Sequence, residues 1–181
     1  PAAAANSVSL ASSDGGNTWS QAFQTTDENV GLFIAGAFFD GQNIYAGTSK
    51  GLVVSTNAGA TFSVSTAGGI PAGQGIYGFA GSKQGGVTRL LAVTRDASTI
   101  YAGMSGTNYQ DAPGTVETLD VGQPNWVTAM TGLPSPLYVN FVGMTANNIS
   151  TVYLAGGSAA GTPTVFKTST AGAAWTSVLK T

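Results

Sequence analysis

The sequence predicts an all-β fold, a partial β-propeller of about three and a half four-stranded blades. Three observations lead to this prediction. A polar turn motif, here called the corner phrase, occurs four times, and a second motif that predicts a strand, a turn and a strand occurs three times. The composition also favours short strands and tight turns. Of the 181 residues, 43% are hydrophobic, 26 are glycine and only 8% are charged. Self-similarity at a period of tens of residues indicates stacked supersecondary units.

The corner phrase is clearest at residues 12–19, which read S-S-D-G-G-N-T-W. Residues 55–62 repeat this motif with Asn in place of Asp and Phe in place of Trp. Residues 168–175 keep the hydroxyl, the Gly and the Trp. Residues 118–126 form a fourth copy that is longer by one residue. The intervals between copies match the roughly 40–50 residues of a four-stranded blade, except for a longer interval before the third blade's corner. The spacing predicts one corner per blade and an insertion at residues 68–86.

A second phrase precedes the corners. Residues 37–49 align without gaps on residues 93–105, and residues 151–158 are a third version. Each copy combines β-branched and aromatic residues with a polar turn, which predicts a strand, a turn and a strand. In the third blade this alignment makes residues 90–95 the innermost strand, and it leaves residues 76–80 as an extra strand ahead of them.

The chain is therefore expected to form a single partial propeller. The predicted segments are an N-terminal tail and four blades, at residues 1–6, about 7–23, 32–65, 76–129 and 137–180. Only an outer pair of strands represents the first blade. Propellers close with typically four to eight blades because closure hides exposed sheet edges. We expect that the chain is part of a longer polypeptide or that a second chain completes the ring. A compact four-bladed ring would need an inner strand pair that we do not find.

The corner phrase resembles the Asp-box, or BNR repeat, of sialidases, propeller xyloglucan-degrading glycosidases and sortilin-type receptors. The resemblance implies that each corner closes the hairpin between the third and fourth strands of a blade, on the face away from the ligand. The expected structural residues are Ser12, Asp14, Gly16, Thr18, Trp19, Asn57, Gly59, Phe62, Gly172 and Trp175. Asp14 can accept backbone N–H bonds, Gly16 permits a positive φ, and Trp19 can pack between neighbouring sheets.

Composition excludes several classes of function. The chain has no Cys and no His, which excludes zinc fingers and a Ser-His-Asp triad within it. The six Lys and Arg residues form no basic stripe, so nucleic acid is not an expected partner. We also expect no cofactor, no metal and no membrane span. Low charge with abundant Ser, Thr, Asn and Gly is typical of secreted proteins, which predicts an extracellular or cell-surface location.

Ligand binding is expected on the opposite face, where loops join the second strand to the third and one blade to the next. The loop at residues 106–114 combines an aromatic ring, amides and a carboxylate, which suit stacking on sugars and hydrogen bonding to them. Residues 24–29 place two acids together, and residues 68–86 add polar and aromatic groups. The alternative for each is an ordinary solvated or bracing loop. The predicted ligand-binding residues are Asn108, Tyr109, Gln110, Asp111, Tyr77 and Gln74.

Catalysis within this chain has less support than binding. Sialidases clamp a carboxylate with three arginines, whereas this chain has only Arg89 and Arg95. The predicted strand map sets Arg95 beside Asp96 on the corner side, away from any ligand. An inverting glycosidase needs two carboxyl groups roughly 6.5–9.5 Å apart. Asp27 and Asp111 are the candidate acids, and a half propeller could contribute one of them.

The leading hypothesis is a noncatalytic extracellular module that recognises a polysaccharide or a protein on its loop face. The alternative is a fragment of a propeller glycoside hydrolase similar to the xyloglucan-degrading enzymes. A third hypothesis is a factor that assembles photosynthetic complexes. Propellers of that kind tend to use a basic patch, which this chain lacks.

Overall fold

A computed structural model describes residues 7–25, 32–100, 113–157 and 162–180. These residues form fourteen β-strands and one short 3-10 turn, Ala97–Thr99. The strands are β1 (Ser7–Ala11), β2 (Ser20–Thr25), β3 (Ile34–Asp40), β4 (Asn43–Thr48), β5 (Gly51–Ser55), β6 (Ser63–Val64), β7 (Gln74–Gln84), β8 (Val87–Asp96), β9 (Thr115–Asp120), β10 (Val127–Thr128), β11 (Tyr138–Met144), β12 (Val152–Gly157), β13 (Pro163–Thr168) and β14 (Thr176–Lys180).

The strands form three four-stranded antiparallel sheets and one two-stranded hairpin. We name them half-blade one (β1–β2), blade two (β3–β6), blade three (β7–β10) and blade four (β11–β14). Within each sheet the strands follow one another in chain order, and the inner strands β3 and β11 both contact β7. This is the architecture of an all-β partial propeller, as the sequence predicts.

Two hydrophobic clusters hold the blades together, one on each side of blade three. Alternate residues of a strand point to opposite faces, so Leu90 and Ala92 of β8 face blade two while Leu91 and Val93 face blade four. The cluster between blades two and three contains Tyr45, Leu52, Ile76, Phe79, Leu90, Ala92, Leu119 and Trp126. The cluster between blades three and four contains Leu91, Val93, Val116, Ala129, Leu137, Val139, Val152, Leu154, Phe166 and Trp175.

Blades two and three approach each other closely because glycines line their contact. A Cβ atom added to Gly47 would lie 2.6 Å from the Cβ of Phe79, and one added to Gly81 would lie 2.4 Å from the Cγ of Phe38. Real Cβ contacts are longer than this. Glycine at these two positions therefore lets each aromatic ring pack against the backbone of the neighbouring sheet.

Blade three corrects the predicted strand map. Its inner strand is β7, and residues 90–95 belong to the second strand, β8, which pairs with β7 and β9. Residues 97–99 form the 3-10 turn instead of starting a strand, and residues 101–105 lie outside the described residues. The predicted insertion at 68–86 is also wrong, because this segment contains all of β7, the inner strand of blade three. Three glycines spaced three residues apart, Gly75, Gly78 and Gly81, concealed this strand, since Gly lowers β-propensity.

Candidate functional site

The first corner, between β1 and β2, is closed by its own polar side chains. Ser12 Oγ accepts the N–H of Gly16 at 2.8 Å, and the Asp14 carboxylate accepts the backbone N–H of Thr18 at 2.9 Å and its hydroxyl at 2.6 Å. The hydrogen bonds from Thr18, with another from Ser12, lower the pKa of Asp14 from 3.8 to about 2. Gly16 has a φ of 93°, in the region that favours glycine.

The corner of blade two repeats these hydrogen bonds without a charge. Ser55 Oγ accepts the N–H of Gly59 at 2.9 Å, and Asn57 Oδ1 accepts the N–H of Thr61 at 2.9 Å. Asn57 also donates its amide N–H to the Thr61 hydroxyl at 2.8 Å. The amide oxygen of Asn therefore takes the place that the carboxylate occupies in the first corner. The ring of Phe62 lies beside Gly59, within 4 Å of the Cβ that an added side chain would need there.

The corner of blade four uses two threonines for the same bonds. Thr168 Oγ1 accepts the N–H of Gly172 at 3.2 Å, and Thr170 Oγ1 accepts the N–H of Ala174 at 3.1 Å. Trp175 is 4% exposed and donates its indole N–H to Ala129 O of blade three at 2.8 Å. This corner is therefore tied to the neighbouring blade as well as to itself.

The corner of blade three departs from the other three. The Asp120 carboxylate binds Arg89 through two hydrogen bonds of 2.6 and 2.7 Å, and these raise the pKa of Arg89. It does not cap the turn as Asp14 does. Gly122 keeps the positive φ, 97°, and Trp126 is buried in the cluster between blades two and three. This copy retains the glycine and the buried ring but replaces the polar closure with an ion pair.

The corners all lie at one end of the sheets. In an up-and-down blade the corner between the third and fourth strands is at the same end as the hairpin between the first and second. In blade three that hairpin turn is Gly85–Gly86, and both glycines have positive φ. The opposite end, here named the loop end, contains the starts of the inner strands and the connections between second and third strands.

A row of four side chains crosses the loop end, and we name it the aromatic–arginine row. The ring of Phe33, just before β3, stacks on Tyr77 of β7 with centroids 5.6 Å apart and an interplanar angle of 14°. The guanidinium carbon of Arg95 lies 3.7 Å from the centroid of the Tyr77 ring. Arg95 also donates to Asn140 Oδ1 of β11 at 2.9 Å. The row thus connects blades two, three and four.

β-Bulges position this row. Each inner strand has a register shift near its start, between Ile34 and Gly36, between Ile76 and Gly78, and between Val139 and Phe141. Tyr77 and Asn140 are the extra residues in blades three and four. Because a bulge re-aims side chains relative to a regular strand, these two residues leave the alternation that the sequence predicts.

Arg95 lies at the loop end, which corrects its predicted location on the corner side. It is 1% exposed, and burial lowers its pKa while Tyr77 offsets part of that change. The neighbouring Asp96 is not its partner, because the Asp96 carboxylate accepts the backbone N–H of Ser98 at 2.8 Å. The error follows from the strand map: treating 90–95 as an inner strand reverses the direction in which Arg95 points along the blade.

Of the six predicted ligand-binding residues, the structure describes two, Tyr77 and Gln74. Tyr77 lies in the aromatic–arginine row, whereas the side-chain oxygen of Gln74 accepts hydrogen bonds from Thr94 and Thr115 and so braces β7, β8 and β9. Five predicted residues lie outside the described part of the chain: Asp27, Asn108, Tyr109, Gln110 and Asp111. Sequence reasoning missed the functional potential of Phe33 and Asn140, and only the preference of binding residues for strand ends could have suggested them.

The described carboxylates form no open catalytic pair. Asp40 binds Lys83 at 2.7 Å and Thr88 at 2.7 Å, and these hydrogen bonds lower its pKa. Asp14, Asp96 and Asp120 are engaged in the local contacts described above. Glu117 is buried. Over residues 7–25, 32–100, 113–157 and 162–180, no group of three potential metal ligands comes together, and no helix is long and apolar enough to cross a membrane.

An apolar cleft of about 550 Å³ separates half-blade one from blade two. Leu10 and Trp19 line one side, and Phe39 and Val53 line the other. Trp19 is 62% exposed, so the predicted packing of this ring between neighbouring sheets is not observed. In blades two to four the third strand pairs on both sides, whereas β1 pairs only with β2 among the described residues.

Comparison with solved structures identifies the fold. An ancestral GH74 enzyme matches with a TM-score of 0.66 and 19% identity over 91% of this chain. The GH74 enzyme of Niastella koreensis matches with a TM-score of 0.57 and 18% identity over 90% of this chain. The chain spans only 21% and 25% of the lengths of those two proteins.

No protein-family model and no curated protein sequence matches the chain. Identities below one fifth between proteins that share this fold support a statement about architecture and not about chemistry. The described sheets and the two structural matches together identify a partial β-propeller with the fold found in GH74 enzymes.

Proposed function

We propose that the chain is a noncatalytic recognition segment of a larger propeller and that it binds a polysaccharide at its loop end. The observation that supports this most directly is the aromatic–arginine row. It brings two stacked rings, a guanidinium and a primary amide together across three blades. Binding chemistry concentrates where a rigid scaffold holds such groups at strand ends.

The row has the chemistry that sugars require. The flat ring of Tyr77 offers a face for stacking and a hydroxyl for hydrogen bonding. The amide of Asn140 can donate to a ligand hydroxyl while its oxygen accepts from Arg95. Arg95 contacts both residues, so it orders them before a ligand arrives and lowers the entropic cost of binding.

The direct test compares two tyrosines. We expect Tyr77→Ala to weaken binding of the best glycan from an array screen by roughly tenfold, about 1.4 kcal/mol, measured by isothermal titration calorimetry. Tyr153→Ala is the matched control, because Tyr153 is also partly exposed, at 42%, but lies on the outward face of blade four. Circular dichroism checks that both variants fold. Wild-type protein that binds no glycan, or equal weakening in both variants, would contradict the proposal.

The sequence also predicts that the connection between β8 and β9 contributes to the same site. Asn108, Tyr109, Gln110 and Asp111 have side chains suited to sugar hydroxyls and rings. Under this proposal Tyr109→Ala weakens glycan binding without abolishing folding. Unchanged glycan affinity in Tyr109→Ala would show that this connection is not part of the site, and the aromatic–arginine row would then be the binding surface.

The alternative is a segment of a propeller glycoside hydrolase, and the fold shared with GH74 enzymes favours it. Asp27 and Asp111 are its candidate acids. The distinguishing measurement is the release of reducing sugar from soluble glucans by the chain alone and joined to further propeller blades. Release that is lost in Asp27→Asn or Asp111→Asn would favour the enzyme and reject a noncatalytic role.

The proposal also assigns roles outside the ligand site. We interpret the corners at Ser12–Trp19, Ser55–Phe62 and Thr168–Trp175 as Asp-box repeats that stiffen the scaffold. The cleft beside β1 is then the place where a further strand pair, from the same polypeptide or a second chain, completes half-blade one. We also propose an extracellular or cell-surface location, which the low charge and the abundant Ser, Thr, Asn and Gly support, and cell fractionation of the source organism tests it.

A further inference from the structure

Glu117 is a fully buried acid in the middle of blade three. It lies on β9 between Ala92 of β8 and Thr128 of β10, and its exposure is 0%. Neither carboxylate oxygen has a hydrogen-bond partner. An ionised carboxylate in such a place is disfavoured relative to the neutral acid, because burial removes the water that would solvate the charge and the nearby hydroxyls of Thr115 and Thr128 compensate only in part.

The side chain of Glu117 faces blade two. Residues directly opposite each other on paired strands share a face, so Glu117 is on the side of Ala92 and Leu119, which pack with Tyr45 of blade two. The indole N–H of Trp126, in the same cluster, is also buried without a partner. This interface therefore contains an acceptor and a donor that the protein leaves unpaired.

Among the residues that the structure describes, few charged groups face Glu117 from the surrounding elements. On blade two the titratable groups of this side are Tyr45, whose pKa is raised by burial, and Asp40, which pairs with Lys83 of β7. That ion pair lies beside Thr88, about 13 Å along β8 from Ala92 at the usual strand rise. Lys50 is exposed in the turn between β4 and β5. Arg89, Arg95 and Asp120 lie on the opposite face of blade three.

We propose that Glu117 is a proton-binding site that couples the packing of blades two and three to pH. The interface accepts the neutral carboxylic acid, and ionisation of Glu117 weakens the contact between the two blades. The coupling needs no ligand, so it is independent of the recognition function proposed above.

The direction of the pH effect follows from the shift in pKa. Burial raises the pKa of Glu117 above 4.5, and the nearby hydroxyls of Thr128 and Thr115 offset part of that rise without forming a well-aligned hydrogen bond. The unfolded chain releases this proton at a lower pH than the folded protein does. Stability is therefore lost as pH rises from about 4.5 to the pKa of the folded state, by up to tenfold in the unfolding constant per pH unit.

Urea denaturation from pH 4 to pH 9 tests the coupling. We expect the unfolding constant of the wild type to rise more steeply with pH than that of Glu117→Gln, by up to about tenfold per pH unit within the titration window. Asp40→Asn is the control, because the pKa of Asp40 is lowered and its removal leaves the slope above pH 5 unchanged. Parallel profiles for wild type and Glu117→Gln would overturn the proposal.

A second measurement needs only the wild-type chain and so holds even if Glu117→Gln does not fold. The sequence contains two glutamates, Glu28 and Glu117, so ¹³C-labelled glutamate gives two side-chain carboxyl signals by NMR. We expect at least one of the two signals to remain that of a protonated acid at pH values above the ordinary pKa of glutamate. Two signals that both titrate near 4.5 or below would refute the proposal.

Discussion

The first corner and the corner of blade four have the same local structure in two different tertiary environments. In both, a hydroxyl accepts the N–H of the corner glycine. A second polar side chain, that of Asp14 or Thr170, accepts the backbone N–H of the residue four positions after itself. Trp175 is 4% exposed and donates to Ala129 O of the next blade, whereas Trp19 is 62% exposed and donates to Gly16 O of its own corner. The hydrogen bonds of the corner therefore form locally, while the burial of its tryptophan depends on the neighbouring sheet.

The largest expected difference in stability between the two corners comes from replacing their tryptophans. We expect Trp175→Ala to lower the free energy of unfolding by about 3–5 kcal/mol, because it opens a cavity in the cluster between blades three and four. Trp19→Ala should cost less than about 1 kcal/mol, since its ring is mostly in water already. Urea denaturation of both variants measures the difference, and equal losses would contradict the distinction between the two environments.

A smaller effect is expected from the corner hydroxyls. Thr168→Val keeps the shape of the side chain but leaves the buried N–H of Gly172 without its acceptor, which we expect to cost about 1–3 kcal/mol. Ser12→Ala removes the equivalent acceptor at an exposed corner, where water can replace it, so the cost should be below about 1 kcal/mol. Thermal denaturation monitored by circular dichroism ranks the two, and a larger loss for Ser12→Ala would reverse the argument.

Exchanging alanine and glycine at the residue before the corner glycine tests whether backbone strain differs between the two corners. The residue before the corner glycine has positive φ in all three capped corners: Gly15 at 72°, Ala58 at 57° and Ala171 at 59°. Alanine is strained there, but glycine also gains entropy in the unfolded chain. We expect Ala171→Gly to change stability by less than about 1 kcal/mol in either direction, and Gly15→Ala to be destabilising, as measured by urea denaturation. A stabilising Gly15→Ala would show that strain is not the controlling term.

The smallest effect concerns pH. The pKa of Asp14 is lowered to about 2 in the folded state, so the contribution of this carboxylate to the first corner is present above pH 4 and is lost as pH falls from 3.8 toward 2. The corner of blade two has Asn57 in the same role and should not respond. NMR of the Thr18 and Thr61 amide protons between pH 5 and pH 2 distinguishes them. In Asp14→Asn the Thr18 response should disappear, and its persistence would assign the titration to another group.

Much of the fold could be predicted from the sequence because its signals are local. The corner phrase and the alternation of apolar residues identified the sheets of blades two and four, as well as the hairpin of half-blade one. The strand order in blade three could not be predicted in this way. β7 is rich in glycine and carries no strong strand signal. Its Gly81 is explained only by the ring of Phe38 from blade two, which packs against it.

The candidate site was less predictable than the fold. The sequence predicts Tyr77 as a ligand-binding residue because it is aromatic and lies in a polar segment, but it does not predict that Phe33, Arg95 and Asn140 lie beside it. These residues come from three blades and are far apart in the chain, so no local pattern connects them. β-Bulges also shift Tyr77 and Asn140 out of the strand alternation, and a bulge depends on pairing with another strand.

The sequence by itself determined the three capped corners, because each of these is closed by side chains within four residues of the groups they cap, and such short-range bonds need no other part of the chain. It also determined the all-β class through its repeats. Only the tertiary structure decided which corner tryptophan is buried, which end of blade three Arg95 occupies, and that Glu117 has no partner. Those properties depend on the neighbouring sheets, since burial and pairing are set by residues distant in the chain.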